Sequence, residues 1–260
     1  PSTATIREIE SWGFRRVRHW ARGVNTTRFD PARRSAEWRE RLLNGRPADS
    51  LLCLYVGRLA REKRLDLLLE VAALPGVALT IVGDGPIRDE IKEEFAGTDA
   101  YLTGYLFGDE LAMAYAASDV FVFTGTNETF GQVVLEALSS GLPVIVPDSG
   151  GVTDMAIPGE TGIICETNPA DFAAAVRRLR DQPALRRYLA EGARLYAQAR
   201  PWEALMVQLE GYYTEAVNIN DRFNRLHTGP LPTNAWLEEL TARHRKSAGD
   251  SSGEPVSSGG

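Results

Sequence analysis

Two pairs of charged residues follow apolar runs at spacings that could do chemistry. The first pair, Arg58 and Lys63, lies in the segment 57–63 (GRLAREK), directly after the apolar run 51–56. Two cations beside a helix start form an anion site, and a diphosphate is the natural anion. Gly57 permits the turn. The segment has neither a G-x-G-x-x-G fingerprint nor a Walker A loop. The alternative to an anion site is that Arg58 and Lys63 are two unrelated surface cations.

The second pair consists of Glu128 and Glu136. Glu128 lies in the polar loop 126–132 (TNETFGQ), where the free N–H groups of a helix start near Phe130 could bind phosphate or sugar oxygens. Gly131 would let a ligand approach closely. At 1.5 Å per residue, eight helical positions separate the two acids by roughly 12 Å, about the distance from a sugar to a ribose across a diphosphate. The alternative for Glu136 is a surface helix position or a cap partner.

Both pairs require elements that bring them to one edge of a sheet. Apolar runs typical of strands buried on both faces occur at 51–56, 78–83, 100–103, 119–123, 143–147 and 162–165. Amphipathic segments between them predict helices at 61–73, 86–95, 108–117, 130–140 and 169–181. This alternation predicts an α/β fold with a doubly wound, mostly parallel, Rossmann-like sheet, in which ligands bind beyond the carboxyl ends of the strands.

The flanks follow a different pattern. We expect helices at 4–12 and 35–43, a strand at 15–20, further helices within 182–218, and a short helix at 234–245. Residues 228–260 are mostly Gly, Pro, Ser and charged, which predicts a flexible tail, with 246–260 disordered.

Composition excludes several classes of protein. The net charge is −6, with eleven Arg and six acids in residues 1–50, so the rest of the chain carries −11. This acidic body lacks a basic–aromatic stripe and disfavours nucleic-acid binding. The sequence contains neither a membrane-spanning apolar run nor a secretory signal, and Cys53 and Cys165 are expected to be buried free thiols of a reducing compartment.

At these residues the sequence resembles the C-terminal donor-binding domain of glycosyltransferase family 4, one half of a two-domain GT-B enzyme. The likeness spans about residues 15–200. Its motifs are Glu128 and Glu136 separated by seven residues, the G-R-x-x-x-x-K loop, VGDGP at 82–86, Gly-Leu-Pro-Val at 141–144 and Gly-Gly at 150–151. Within the family, the pattern is most similar to sulfoquinovosyl-diacylglycerol synthases and related lipid glycosyltransferases.

The resemblance implies a retaining glycosyltransferase that binds a nucleoside-diphosphate sugar, with UDP as the expected nucleotide. Arg58 and Lys63 would stabilise the leaving diphosphate, and Glu128 with the backbone of Phe130 and Gly131 would bind the sugar. Glu136 would hold the ribose. The expected base pocket consists of Gly104, Tyr105 and Leu106. No cofactor, essential metal or carboxylate nucleophile is implied.

The resemblance also implies a domain order and partners. We interpret 1–25 as a remnant of the N-terminal acceptor domain, 26–50 as a linker, 51–200 as the donor domain, 201–227 as a crossing helix and 228–260 as the tail. Besides the donor, the expected partners are the rest of the acceptor domain and a lipid acceptor at a membrane surface. We expect a cytoplasmic or stromal location with membrane association, and no secretion.

Three alternatives remain open on sequence alone. One is a GDP-mannose-dependent mannosyltransferase, and another is a non-catalytic module that binds a sugar nucleotide. The third, a GT-B-type epimerase, needs acid–base residues in the crevice, and it is disfavoured because His19, His227 and His244 all lie in the flanks.

Overall fold

A computed structural model describes residues 2–98 and 100–226, without the side chains of Ala4 and Leu226. The six strands within these ranges form one parallel sheet in the order β3-β2-β1-β4-β5-β6. Their bounds are β1 Leu51–Val56, β2 Val77–Val82, β3 Tyr101–Gly104, β4 Val120–Val122, β5 Val144–Pro147 and β6 Gly162–Cys165. This confirms the predicted doubly wound fold, whose order reverses between β1 and β4.

The α-helices of the described residues cover both faces of the sheet. Their bounds are α1 Thr3–Ser11, α2 Ala36–Leu43, α3 Leu69–Ala72, α4 Arg88–Glu94, α5 Gly108–Ala117, α6 Gln132–Ser139, α7 Pro169–Asp181, α8 Pro183–Gln198 and α9 Trp202–Leu226. Every residue of β1 and β2 is buried, as strands covered on both faces require. Helix α2 packs against α5, and α6 packs against α8.

Local capping sets several helix bounds. Ser35 begins α2 by accepting a hydrogen bond from the N–H of Trp38, and Asn44 ends it in the left-handed conformation. Asn168 caps α7 through the N–H of Asp171, with Pro169 at the first helical position. Side-chain chemistry that is local in the sequence therefore determines where these helices start and stop.

The single helix predicted at 61–73 is wrong. The chain forms two short 3₁₀ turns, Arg61–Lys63 and Leu65–Leu68, before the four-residue α3. Arg64 separates the turns with a φ of +51°, which breaks a regular helix. The break exposes the carbonyl of Lys63 to the hydroxyl of Thr124, which donates to it at 2.5 Å.

The predicted strand at 15–20 is also wrong, because these residues are irregular and have no neighbouring strand. Instead, the indole N–H of Trp20 donates to the carbonyl of Leu205 at 3.0 Å, and Val24 makes an isolated parallel bridge with Pro201. Alternating polar and apolar residues form a strand only where a sheet edge is available to pair with them.

The helices predicted near both ends of the described chain are present. The helix predicted at 4–12 is present as α1, and the helices predicted within 182–218 are α8 and most of α9. The chain divides into two compact units, and the second begins at Tyr213. In that second unit, the described residues are the C-terminal part of α9. The predicted helix at 234–245 and the predicted tail 228–260 lie outside the described residues.

Arg194 of α8 fixes the segment that precedes α2. Its guanidinium donates to the carbonyls of Ser139 at 2.5 Å and Phe29 at 3.0 Å, and it pairs with Asp30. Because a lysine ammonium cannot reproduce this fork, Arg194→Lys is expected to lower the free energy of unfolding by about 1.5 kcal/mol. Urea denaturation measures the change. Arg177→Lys, on the exposed face of α7, is the matched control, and equal effects of the two variants would contradict the prediction.

Candidate active site

The loop after β1 is held tightly against the loop after β2. The N–H of Leu59 donates to the carbonyl of Asp84 at 2.9 Å. At Gly83, where φ is +143°, an added Cβ would lie 1.9 Å from the carbonyl oxygen of Gly57. This backbone-to-backbone packing requires glycine and places the start of segment 57–63 rigidly at the carboxyl edge of the sheet.

Lys63 and Glu128 come together across the point where the strand order reverses. The two side chains form an ion pair and are only 21% and 23% exposed. The ammonium of Lys63 also lies 5.9 Å from the centre of the Phe123 ring, which attracts a cation. Two residues predicted from separate motifs therefore meet. Lys63, predicted to bind the diphosphate, is paired in the free chain with Glu128, predicted to bind the sugar.

Arg58 lies at the same edge but is exposed. Among residues 2–98 and 100–226, no carboxylate forms an ion pair with it. Arg61, by contrast, is paired with Glu90 at 2.6 Å on the outside of the 3₁₀ turn. Of the cations in segment 57–63, Lys63 is engaged within the crevice and Arg58 remains available to an anion.

The loop that carries Glu128 rests on the glycine pair 150–151. The N–H of Gly151 donates to the carbonyl of Glu128 at 2.6 Å. Gly131 has a φ of +84° and precedes α6, whose first N–H groups point out of the helix start without intrahelical partners. Phe130 is 8% exposed, so its ring packs in the core and only its backbone faces the crevice.

Glu136 lies inside α6 on a mostly buried face. The hydroxyl of Tyr115 in α5 lies 3.2 Å from its carboxylate and 3.2 Å from the carbonyl of Val133. Burial raises the pKa of Glu136 from 4.5 to about 7, and the hydrogen bond from Tyr115 opposes part of that shift. The structure leaves Glu136 only partly exposed and pairs it with Tyr115, a residue that sequence reasoning missed.

The residues predicted to line a base pocket follow β3. Gly104 has a φ of +78° and open space beside its Cα, and Tyr105 is 55% exposed. The hydroxyl of Tyr105 donates to the carbonyl of Asp84 at 3.2 Å, and its ring stacks on Phe107 with centres 5.5 Å apart. Leu106 is buried, so it could line a pocket only through its backbone.

Two classes of feature are not found in the part of the chain that the structure describes. No group of three or more His, Cys, Asp or Glu side chains is placed to hold a metal ion. None of the helices within that part is long and apolar enough to cross a membrane.

The parallel sheet, its reversal between β1 and β4 and the crevice at its carboxyl edge are those of a Rossmann-like domain of the GT-B type. The chain belongs to the family described as "Glycosyl transferases group 1", whose model matches residues 37–196. This confirms the family that the sequence motifs indicated.

Two curated relatives illustrate the range within the family. The chain is 43% identical over 220 residues to a GDP-mannose-dependent alpha-mannosyltransferase of Mycobacterium tuberculosis (strain CDC 1551 / Oshkosh), which covers 84% of this chain and 56% of that protein. It is 37% identical over 249 residues to the sulfoquinovosyl transferase SQD2 of Arabidopsis thaliana, covering 91% of this chain and 48% of the relative. The chain thus spans about half the length of the curated relatives it matches.

Solved structures support the same architecture. A sucrose-phosphate synthase from Thermosynechococcus elongatus superposes with a TM-score of 0.73 at 29% identity, over 84% of this chain and 57% of that one. Anabaena HepE in complex with UDP superposes with a TM-score of 0.66 at 20% identity, over 74% of this chain and 56% of HepE, a likeness of fold alone.

Proposed function

We propose that this chain binds a nucleoside-diphosphate sugar and supplies the donor half of a retaining glycosyltransferase. The observation that carries the proposal is the contact between Lys63 and Glu128 at the switch point of the sheet. A cation and an acid in one crevice, beside the free N–H groups of α6, match a ligand with both a diphosphate and hydroxyl groups.

In the proposed complex, Lys63 leaves Glu128 and binds the diphosphate together with Arg58. Glu128 then accepts hydrogen bonds from sugar hydroxyls, beside the backbone of Phe130 and Gly131. An acceptor hydroxyl oxygen bonds to the anomeric carbon as the bond from that carbon to the diphosphate breaks, and the hydroxyl proton passes to the departing phosphate oxygen. Negative charge grows on the leaving diphosphate, and the two cations stabilise it. The reaction on one face of the sugar needs neither an essential metal nor a carboxylate nucleophile.

Glu136 and the segment after β3 hold the nucleoside part. The ionised carboxylate of Glu136 accepts hydrogen bonds from the ribose hydroxyls, about one turn along α6 from its first residue Gln132. Gly57 provides the turn under the diphosphate, and the base lies against Gly104, Tyr105 and the backbone of Leu106.

Two donors are candidates. The sequence resemblance suggested a UDP-sugar. The 43% identical relative and further ones at 40% and 34% are named as GDP-mannose-dependent, and these names favour GDP-mannose. We therefore propose GDP-mannose as the first donor to test and a UDP-hexose as the second.

The acceptor is proposed from the family pattern alone. A diacylglycerol-type lipid, reached at a membrane surface from the cytoplasm or a stroma, is the acceptor that the sequence resemblance implies. The chain spans about half of its relatives, and the family resemblance implies that the other half binds the acceptor. The chain alone is expected to bind the donor weakly and to transfer little sugar.

Calorimetric titration of the chain with GDP-mannose, UDP-glucose and ADP-glucose tests the proposal. We expect one saturable site, with GDP-mannose bound most tightly. Arg61→Ala is a useful control, because Arg61 pairs with Glu90 outside the crevice and its loss should leave binding unchanged. If none of the three sugar nucleotides binds, the proposed function is wrong.

A further inference from the structure

The start of α1 is tied to a distant carboxylate. The backbone N–H of Thr3 donates to Oδ2 of Asp154 at 2.8 Å, and the hydroxyl of Thr3 donates to Oδ1 at 2.7 Å. One residue thus occupies both carboxylate oxygens of another residue 151 positions away. Hydrogen bonds to a charged acceptor are stronger than neutral ones, so this contact fixes the two segments against each other.

Asp154 also belongs to the turn that supports the proposed sugar-binding loop. It ends the 3₁₀ turn that begins at Gly151, whose N–H donates to the carbonyl of Glu128. An added Cβ on Gly151 would lie 2.2 Å from the carbonyl oxygen of Thr129 and 3.0 Å from the Cβ of Ser2. The glycine is therefore enclosed between the loop that carries Glu128 and the N-terminal cap of α1.

A cavity joins this contact to the loop. It has a volume of about 500 Å³, and its lining includes Thr3, Asp154, Gly151 and Phe130. Thr3 and Asp154 line one part of it, and Phe130 of the proposed sugar-binding loop lines another. The direct link between the pair and the loop is the turn Gly151–Asp154, whose first N–H donates to the carbonyl of Glu128.

We propose that Asp154 is a positioning residue for the transferred sugar. By holding Thr3 with both oxygens, it keeps the turn Gly151–Asp154 against the backbone of Glu128, and so sets where the Glu128 carboxylate meets the sugar. The family resemblance implies that α1 belongs to the acceptor-side segment, and on that interpretation the same contact couples that segment to the donor loop. This inference rests on the proposed function.

The test compares a nucleoside diphosphate with its sugar nucleotide. Titrations of GDP and GDP-mannose, or of UDP and UDP-glucose if that donor binds, are made with the wild-type chain, Asp154→Asn and Thr3→Val. Each variant is expected to weaken the sugar nucleotide roughly 3- to 10-fold, the scale of a single lost charge-assisted hydrogen bond or less. The diphosphate without the sugar should bind as before.

The controls separate positioning from a loss of folding. Asp89→Asn removes one negative charge from the exposed side of α4 and should change neither affinity. Thr3→Val keeps the backbone hydrogen bond to Asp154, so it tests the contact with less disturbance than Asp154→Asn. The double variant should weaken the sugar nucleotide no more than Asp154→Asn alone, because both changes break one contact.

Each outcome bears on one proposal. Equal weakening of diphosphate and sugar nucleotide, or no weakening of either, would overturn the role of Asp154. Failure of the wild-type chain to bind any sugar nucleotide would instead overturn the proposed function.

Discussion

Lys63→Ala is expected to weaken binding of the sugar nucleotide by about 3 kcal/mol, which is roughly 100-fold. The variant removes the only cation of segment 57–63 that the structure places in contact with the crevice acid Glu128. Without Lys63, the diphosphate keeps Arg58 and the N–H groups of α6, but it loses the cation nearest the centre of the crevice. Calorimetric titration of the donor measures the loss.

Salt gives a second test of the same residue. In the free chain Lys63 is paired with Glu128, and donor binding must break that pair before Lys63 can reach the diphosphate. The Lys63–Glu128 pair and the Lys63–diphosphate contact are both electrostatic. Only the second brings a charged ligand out of solution, and salt screens the attraction between that ligand and Lys63. Donor affinity should therefore fall with ionic strength in the wild-type chain and fall less steeply in Lys63→Ala.

Arg61→Ala is the matched control for Lys63→Ala, because both residues belong to one 3₁₀ turn and both are paired with an acid. Arg61 is 78% exposed and faces Glu90 on α4, outside the crevice. If the two variants weaken the donor equally, the effect comes from general charge, and the assignment of Lys63 to the diphosphate is wrong.

Much of the fold was predictable because the strands are buried on both faces. The run 51–56 matches β1, and 162–165 matches β6, since continuous apolar segments leave little freedom in where a buried strand starts. The segments 61–73 and 15–20 could not be predicted. Their conformations depend on Thr124 and on the region around Pro201, which are distant in the sequence.

Some features of the candidate site were also predictable from the sequence, and others were not. That Lys63 and Glu128 lie at one edge of the sheet was predictable, because parallel strands deliver the ends of separate loops to one edge, but their ion pair was not predicted. Tyr115 was missed since it looks like an ordinary core aromatic of α5, and only the folded structure shows that its hydroxyl lies 3.2 Å from the carboxylate of Glu136. The role of Asp154 gave no sequence signal, because its partner Thr3 lies 151 residues away.

Glu136→Gln is expected to weaken the donor by about 1.5–3 kcal/mol while stabilising the free chain at alkaline pH. The reason is burial, which raises the pKa of Glu136 from 4.5 to about 7. Between these values the unfolded chain loses the proton and the folded chain keeps it, so stability falls as pH rises. Above pH 7 the penalty reaches about 3 kcal/mol, from 1.36 kcal/mol per pKa unit.

Donor binding should show the opposite trend with pH. The ribose hydroxyls donate hydrogen bonds, so the ionised form of Glu136 is the one that accepts them. Wild-type affinity for the donor should therefore rise as pH increases through about 7, and this rise should be absent in Glu136→Gln. Titrations at pH 6 and pH 8 measure it, and urea denaturation at pH 5 and pH 8 measures the stability change.

The matched control for this pair of measurements is Glu94→Gln on the exposed surface of α4, which should alter neither pH dependence. Glu136 is mostly buried and donor binding would use its charged form, so the same carboxylate costs stability in the free chain and contributes affinity in the complex. If Glu136 served only to pack the core, Glu136→Gln would lower both the free energy of unfolding and the donor affinity at every pH. If Glu136→Gln lowers stability and donor affinity together, Glu136 is a packing residue of α6 and the ribose must be held elsewhere.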